Sequence, residues 1–395
     1  QLVNLLNNYY TSKLKTSDYF EKYHGLDYPV QQIYRYMDKL HSTQKELVQH
    51  ISYEHTKKIL KGQISIVFYD VTTLYFEIDK EDNLRKTGFS KEGKHQNPQI
   101  VLGLLVSKDG YPLAYDIFEG NKFEGHTMLP VLDSFKEKYQ LNQLIIIADS
   151  GLLSNTNIKE LQSRNYEFIL GARIKNEKQD IQRKVLSLKL ANGDSEVIER
   201  DNLRLIVSYS DSRAKKDQLN REKGIRKLEK RIKSGKLNKS NINNKGYNKY
   251  LKLEGNVKIT IDYQKFEADN SWDGLKGYLT NAKLPKDKII ENYGHLWQIE
   301  KAFRISKSDL KIRPVFHWVQ RRIESHICIS FVSYKVYKEL ERQLKDKKSS
   351  LSPEKAIEIA KTIYQVKANT KNGEVKHMLL LSEEQKELAR LFNFG

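Results

Sequence analysis

The sequence has one cysteine, Cys328, which excludes an internal disulfide framework and any cysteine-built zinc site. Set in "HICISFVSY", that cysteine reads as a small buried hydrophobe. There is no apolar run approaching the roughly 18–20 residues of a membrane-spanning helix, and "LIIIA" at 144–148 has only the length of a buried strand. Nothing at the N-terminus has the charged, apolar, small-residue order of a signal peptide. The chain begins at Gln1 rather than Met, as a fragment would. These absences argue against a membrane partner and for a reducing, cytoplasmic setting. Acidic residues are also short, 50 Asp and Glu against 69 Lys and Arg, a formal net charge of +19. Such an excess says little about fold but favours a polyanionic partner, nucleic acid ahead of an anionic membrane surface. Aromatic residues are plentiful: 23 Tyr, 14 Phe and 3 Trp among 395 residues argue against disorder and supply core for two or three domains.

Along the chain, residues 1–60 read as a polar, basic, helical domain, in which "QQIYRYMDKLHSTQKELVQHI" carries apolar positions at helical spacing. Packing alone or DNA binding would each suit it. From Gln63, "QISIVFYD" reads as a short strand ending on an acid. "IVLGLLVSKDGYPLAYDIFEGN" then reads as a hairpin turning at Lys108 to Tyr111. A helix follows in "HTMLPVLDSFKEKYQ", with Thr127 as N-cap and Pro130 in its first turn. Next come strand "LIIIAD", helix "NTNIKELQSRN" and strand "YEFILGA". Three strands in antiparallel succession, then helix, strand, helix, strand, predict an α/β mixed sheet flanked by helices over 61–175. Residues 176–283 break the rhythm with the very basic "RAKKDQLNREKGIRKLEKRIKSGKLNKSNINNKGYNKY" and the strand-like "NVKITIDYQKF", so they read as an insertion. The α/β pattern resumes over 284–330, and 331–395 reads as helical.

Two carboxylates are expected at strand ends, Asp70 in "FYDVTTLYF" and Asp149 in "LIIIADSG". Ligands of α/β sheets bind beyond strand termini, where two rigidly held acids can share divalent ions. A third acid stands in "YGHLWQIEKAFRISK", which at helical spacing puts Tyr293, Leu296, Glu300, Phe303 and Lys307 on one stripe. A charge inside an apolar stripe asks for a reason, and aiming Glu300 at the two aspartates supplies one. Each acid also has a plain alternative. Asp70 and Asp149 suit turns that accept backbone hydrogen bonds. Glu300 suits a solvated pair with Arg304 at i+4, which contributes only about 0.3 kcal/mol.

Together, the three segments resemble the bacterial insertion-sequence transposases of the DDE type. The resemblance is to the branch with a Tyr-Arg-Glu-Lys signature and a β-rich insertion. Tyr293, Glu300 and Lys307 match that signature at separations of seven and seven, while Leu296 stands where its arginine belongs. "YDVTTLYFE" and "IIADSGLLS" look like the two aspartate strands, and the likeness runs over about 63–320. It implies a ribonuclease H-like catalytic domain with the insertion between the second aspartate and the glutamate. That interval is 151 residues here, against 79 between the aspartates, so the basic segment has a place in it.

The resemblance implies that Asp70, Asp149 and Glu300 hold magnesium or manganese, two ions in all, for cleavage at transposon ends and joining to target DNA. Water attacks first and the freed 3′-hydroxyl second. Tyr293, Arg304 and Lys307 are the expected DNA contacts, with Lys94 and His95 in the loop after the first strand as further ones. A homodimer on DNA, in the bacterial cytoplasm at the nucleoid, goes with this picture. A phosphatase of the haloacid dehalogenase kind would need an acid two residues after Asp70, where Thr72 stands. The remaining alternative is a DNA-binding protein descended from a transposase with its chemistry lost.

Overall fold

The computed structural model describes residues 13–394 apart from 63, 91, 92, 153, 236, 245, 256, 257, 311 and 372. The first twelve residues of the helical region and the strand start expected at Gln63 therefore lie outside the described residues. The chain divides into two compact units, residues 1–142 with 296–395, and residues 143–295.

The first unit opens with helices α1 (Lys13–His24), α2 (Val30–Thr43) and α3 (Lys45–Ile59). Ile33, Met37 and Leu40 form the buried stripe of α2, as the helical spacing requires. Three strands follow, β1 (Ile66–Tyr75), β2 (Gln99–Ser107) and β3 (Pro112–Glu119), antiparallel in the order β3-β2-β1. β2 is buried at every position because it is the middle strand of the three, hence its unbroken apolar run. The β2–β3 turn is the expected one, with Gly110 at φ +80° donating to the Ser107 carbonyl over 2.8 Å. β1 differs from the expectation, since it does not stop at Asp70. It pairs with β2 from Val67↔Ser107 through Asp70↔Leu104 to Tyr75↔Gln99. The β-branched and aromatic residues of "VTTLY" keep the strand going past the acid, so Asp70 sits mid-strand. Thr127 does stand at the N-cap of α4 (Met128–Tyr139), yet its side chain caps nothing. It donates to the Glu124 carbonyl at 2.6 Å and accepts from the buried Tyr69 hydroxyl at 2.9 Å, so it ties α4 to β1 instead.

The second unit runs through β4 (Ile145–Ala148), α5 (Asn155–Ser163), β5 (Glu167–Ala172), α6 (Gln179–Ser187), β6 (Ser195–Arg200) and β7 (Leu203–Tyr209). It continues with α7 (Asp211–Lys233), β8 (Leu251–Glu254), β9 (Lys258–Ile261), α8 (Tyr263–Ala268), β10 (Leu275–Thr280) and α9 (Lys286–Gly294). Its sheet order is β4-β5-β10-β7-β6, parallel between β4 and β5 and antiparallel at the other three pairings. The basic stretch 176–283 is thus not all a separate module: three of its strands extend the sheet that begins with β4 and β5. The remainder, α7 with the β8–β9 pair, closes a small core of Ile225, Leu228, Tyr250, Leu251 and Ile261.

The chain then returns to the first unit in α10 (Trp297–Ser308), α11 (Gln320–Asp346), α12 (Pro353–Lys361), strands β11 (Tyr364–Thr370) and β12 (Gly373–Leu379), and α13 (Glu383–Phe392). α11 is one unbroken helix across residue 330, and the last sixty-odd residues hold a two-stranded hairpin that a helical reading does not contain. That hairpin is exposed apart from the half-buried end of β12, so no buried stripe betrays it. Cys328 is buried in α11, as expected of a small hydrophobe. Three antiparallel strands, then helix, strand, helix, strand, with helices flanking sheets of mixed direction, make a ribonuclease H-like α/β fold. Among the described residues no helix is long and apolar enough to cross a membrane.

α11 also carries Lys335 against α3. Its ammonium donates to the Ser52 carbonyl at 3.1 Å and Thr56 Oγ1 at 2.5 Å, and lies 4.3 Å over the Tyr111 ring. Burial pushes its pKa down to about 7, against the opposing pull of Glu339. The folded value is below the ordinary lysine value, so the folded chain binds fewer protons between the two. Stability from this group is therefore complete above the unfolded value and is lost as pH falls through about 7. Lys335→Met should flatten the rise in urea midpoint expected of the parent between about pH 7 and about pH 10. Equal slopes in the two proteins would contradict the assignment.

Candidate active site

Asp70 lies half-buried in the middle of β1, and its Oδ1 accepts from the Val71 N–H at 2.8 Å. A strand interior fixes the backbone beneath a side chain more firmly than a loop does, and the hydrogen bond fixes one of its two oxygens. In the same unit, α10 packs against β1 and β2, bringing the helix of Glu300 onto the strand of Asp70. The helix buries Ile299, Ala302, Phe303 and Ile305, while Glu300 is exposed. α10 is tied to α11 by the ion pair of Lys301 with Glu341, and Lys301 lies 5.7 Å over the Trp297 ring.

The single stripe from Tyr293 to Lys307 does not exist as one helix. The chain turns at His295 and Leu296, where α9 ends with Gly294 and α10 begins. Glycine weakens the helix there, and the His295 N–H closes back on the Asn292 carbonyl at 3.1 Å. Glu300 is therefore no charge trapped in an apolar stripe; it stands on the solvent side of its own short helix. Among the described residues no ion pair joins it to Arg304, which disposes of the plain surface-pair reading. Arg304 is exposed and Lys307 half-buried on the same helix.

Asp149 belongs to the second unit, directly after β4, and is exposed. Its Oδ1 accepts from the Gly151 N–H at 2.6 Å, the turn interaction its sequence suggested. Behind it Ser154 caps α5 by accepting from the Asn157 N–H at 3.1 Å. The turn role and a ligand role are compatible, because a carboxylate has two oxygens.

Tyr293 is buried in the second unit. Its ring meets Tyr278 edge-on at 5.0 Å, and the Lys276 ammonium lies 4.6 Å above it. Gly171 on β5 leaves room for its hydroxyl, since a Cβ there would collide with that oxygen. As placed, Tyr293 holds α9 on β5 and β10, with only 7% of its surface exposed. Leu296, in the position of the signature's arginine, is a core residue. Lys94 and His95 are exposed in the loop after β1. The Lys94 ammonium lies 5.4 Å over the Tyr75 ring, and His95 Nδ1 accepts from the Ser90 N–H at 3.4 Å.

Three carboxylates make an all-oxygen donor set, which suits hard divalent ions such as magnesium. Among the described residues no group of three or more His, Cys, Asp or Glu side chains stands close enough to hold a metal ion. Within the basic segment, α7 carries cations at a spacing visible in the sequence alone. Lys216, Lys223, Lys227 and Lys230 repeat at helical spacing, and all four are exposed opposite buried Ile225 and Leu228.

The transposase DDE-domain family matches residues 61–335. No curated protein matches the chain. Among solved structures it is similar to piggyBac transposase in a synaptic complex with hairpin DNA, at 9% identity and a TM-score of 0.43, over 80% of this chain and 57% of that one. It is also similar to Mos1 transposase in a paired-end complex with the left transposon end, at 11% identity and a TM-score of 0.20, over 40% and 53% of the two chains. The Mos1 mariner paired-end complex with Mn gives 13% identity and 0.19, over 40% and 54%. The chain thus spans little more than half the length of those transposases. The matched segment covers well over half of the sequence and includes Asp70, Asp149 and Glu300, and this chain belongs to the transposase DDE-domain family.

Proposed function

We propose that this chain is a DNA transposase that cleaves at insertion-sequence ends and joins them to target DNA, by metal-dependent hydrolysis followed by transesterification. The observation that carries the reading is the family match from 61 to 335, which encloses all three acids. The exposed Glu300 on a helix packed against the strand of Asp70 supports it from the side of the fold. Asp70, Asp149 and Glu300 would hold two magnesium or manganese ions. Bound there, the ions would activate the attacking oxygen and stabilise the leaving one.

The chain's own part is positioning. The Val71 and Gly151 amides each hold one carboxylate oxygen of Asp70 and Asp149, which limits their rotation. Arg304 and Lys307 would take backbone phosphates, which set register without reading sequence. The lysine stripe of α7 would supply a further phosphate-tracking surface, with Lys94 and His95 adding cationic and polar contacts after β1. Helices α1 to α3 would serve end recognition, and a homodimer on DNA, in the bacterial cytoplasm at the nucleoid, completes the proposal. Duplex carrying the element's own ends should be nicked with Mg²⁺, lose the nick with chelator and regain it on adding Mg²⁺ or Mn²⁺.

The alternative reading, a transposase descendant that binds DNA without cutting it, makes the opposite forecast. Salt-dependent binding of end DNA with no nicking under either ion would establish that reading instead.

A further inference from the structure

Tyr75 closes β1, and two cations from separate loops converge on its ring: Lys94 at 5.4 Å and Arg313 at 5.9 Å. The loop after β1 and the loop joining α10 to α11 are therefore neighbours there. The second loop is firmly seated. Ile312, Val315 and His317 point inward and are buried, and His326 Nε2 donates to the Ile312 carbonyl at 2.9 Å. His317 packs edge-on against Tyr34 at 6.4 Å and tilted against His326 at 5.5 Å. Burial lowers both imidazoles, His317 to about 3 and His326 to about 4, so the seat is neutral near neutral pH. On this anchored backbone the outward residues are large aromatics, Phe316 at 58% and Trp318 at 69% exposure, and Phe89 on the first loop is 75% exposed.

Exposed aromatic rings cost hydration, and a soluble chain rarely carries several near one another without a partner. The cations decide which partner. Flat apolar faces interleaved with ammonium and guanidinium groups, on a chain of net charge +19, match a strand whose phosphates are anionic and whose bases are flat. A closed duplex offers the phosphates but hides the faces of its bases, so only unpaired nucleotides satisfy both halves of the surface.

We propose that the loop 312–319, with Tyr75 and Lys94 beside it, is a stacking platform for unpaired nucleobases of a DNA strand, with Phe316 and Trp318 as its stacking rings. This rests on the transposase reading only in taking DNA as the partner, and it assigns no chemistry to these residues.

The test uses the full chain, without divalent metal. Anisotropy titrations compare a labelled oligothymidine strand with a blunt duplex of equal length. Phe316→Ala combined with Trp318→Ala should weaken strand binding by about tenfold or more, at the 1–3 kcal/mol typical of one stacked base, and leave the duplex within about twofold. Trp318→Tyr should retain most of the strand affinity, because a smaller ring still stacks. Circular dichroism should match the parent throughout, as both side chains are exposed. Equal weakening on strand and duplex, or no weakening on either, would overturn the platform while leaving the transposase reading standing. A parent that binds neither DNA would overturn both. A fall in mass by light scattering in the double variant would also overturn it, by giving the surface to a second copy of the chain.

Discussion

Glu300→Gln is expected to abolish Mg²⁺-dependent nicking of end-containing DNA while leaving fold and DNA affinity nearly unchanged. The amide keeps the shape of the side chain but removes the charge that holds a divalent ion, and the proposed chemistry depends on that ion. Structure should survive because Glu300 is exposed on α10 and packs nothing. Thermal melts of parent and variant should therefore coincide. Lys307→Ala should behave differently, weakening DNA binding or positioning without touching metal dependence, because a lone ammonium serves as a phosphate contact. Full nicking by the glutamine variant would remove Glu300 from the metal-binding set.

The second large effect is expected on α7. Replacing Lys216, Lys223, Lys227 and Lys230 together by Gln should cut the salt dependence of DNA binding. Each phosphate no longer neutralised lowers the slope of log affinity against log salt by about 0.9 on duplex, so the four together should lower it by about 3.6. Binding should weaken whatever the sequence, since these contacts would carry no base readout. The four side chains are exposed and the helix is held from its other face, by Ile225 and Leu228 in the small core and by the ion pair of buried Arg221 with Asp273. The fold should accordingly be retained. An unchanged slope in the quadruple variant would place the DNA surface elsewhere.

Much of this chain was legible because its strong signals are local. The all-apolar run of β2, the glycine at a positive-φ turn before β3 and the helical stripe of α2 each follow from backbone and side-chain chemistry within a dozen residues. The order of strands and helices from 66 to 172 followed from the same signals. Local reading failed where continuation or termination depended on a partner. β1 ran past Asp70 because β2 offered nine residues of register, and the long stripe through Glu300 broke because the chain turns at His295. β11 alternates Tyr364, Val366 and Ala368 with polar residues, but it is exposed throughout, so that alternation answers to no core.

The same division holds for the candidate site. The identities and order of Asp70, Asp149 and Glu300, the charge excess and the lysine spacing of α7 were all set by sequence, since they depend only on residue type and distance along the chain. Which of these groups are exposed was decided by tertiary structure. Tyr293 went under Lys276 and against Tyr278 because Gly171 left room for its hydroxyl, and Leu296 joined the core. Glu300 stayed in solvent because α10 spends its apolar face on β1 and β2. Burial is a property of what packs opposite, and no residue carries that information in its own neighbourhood.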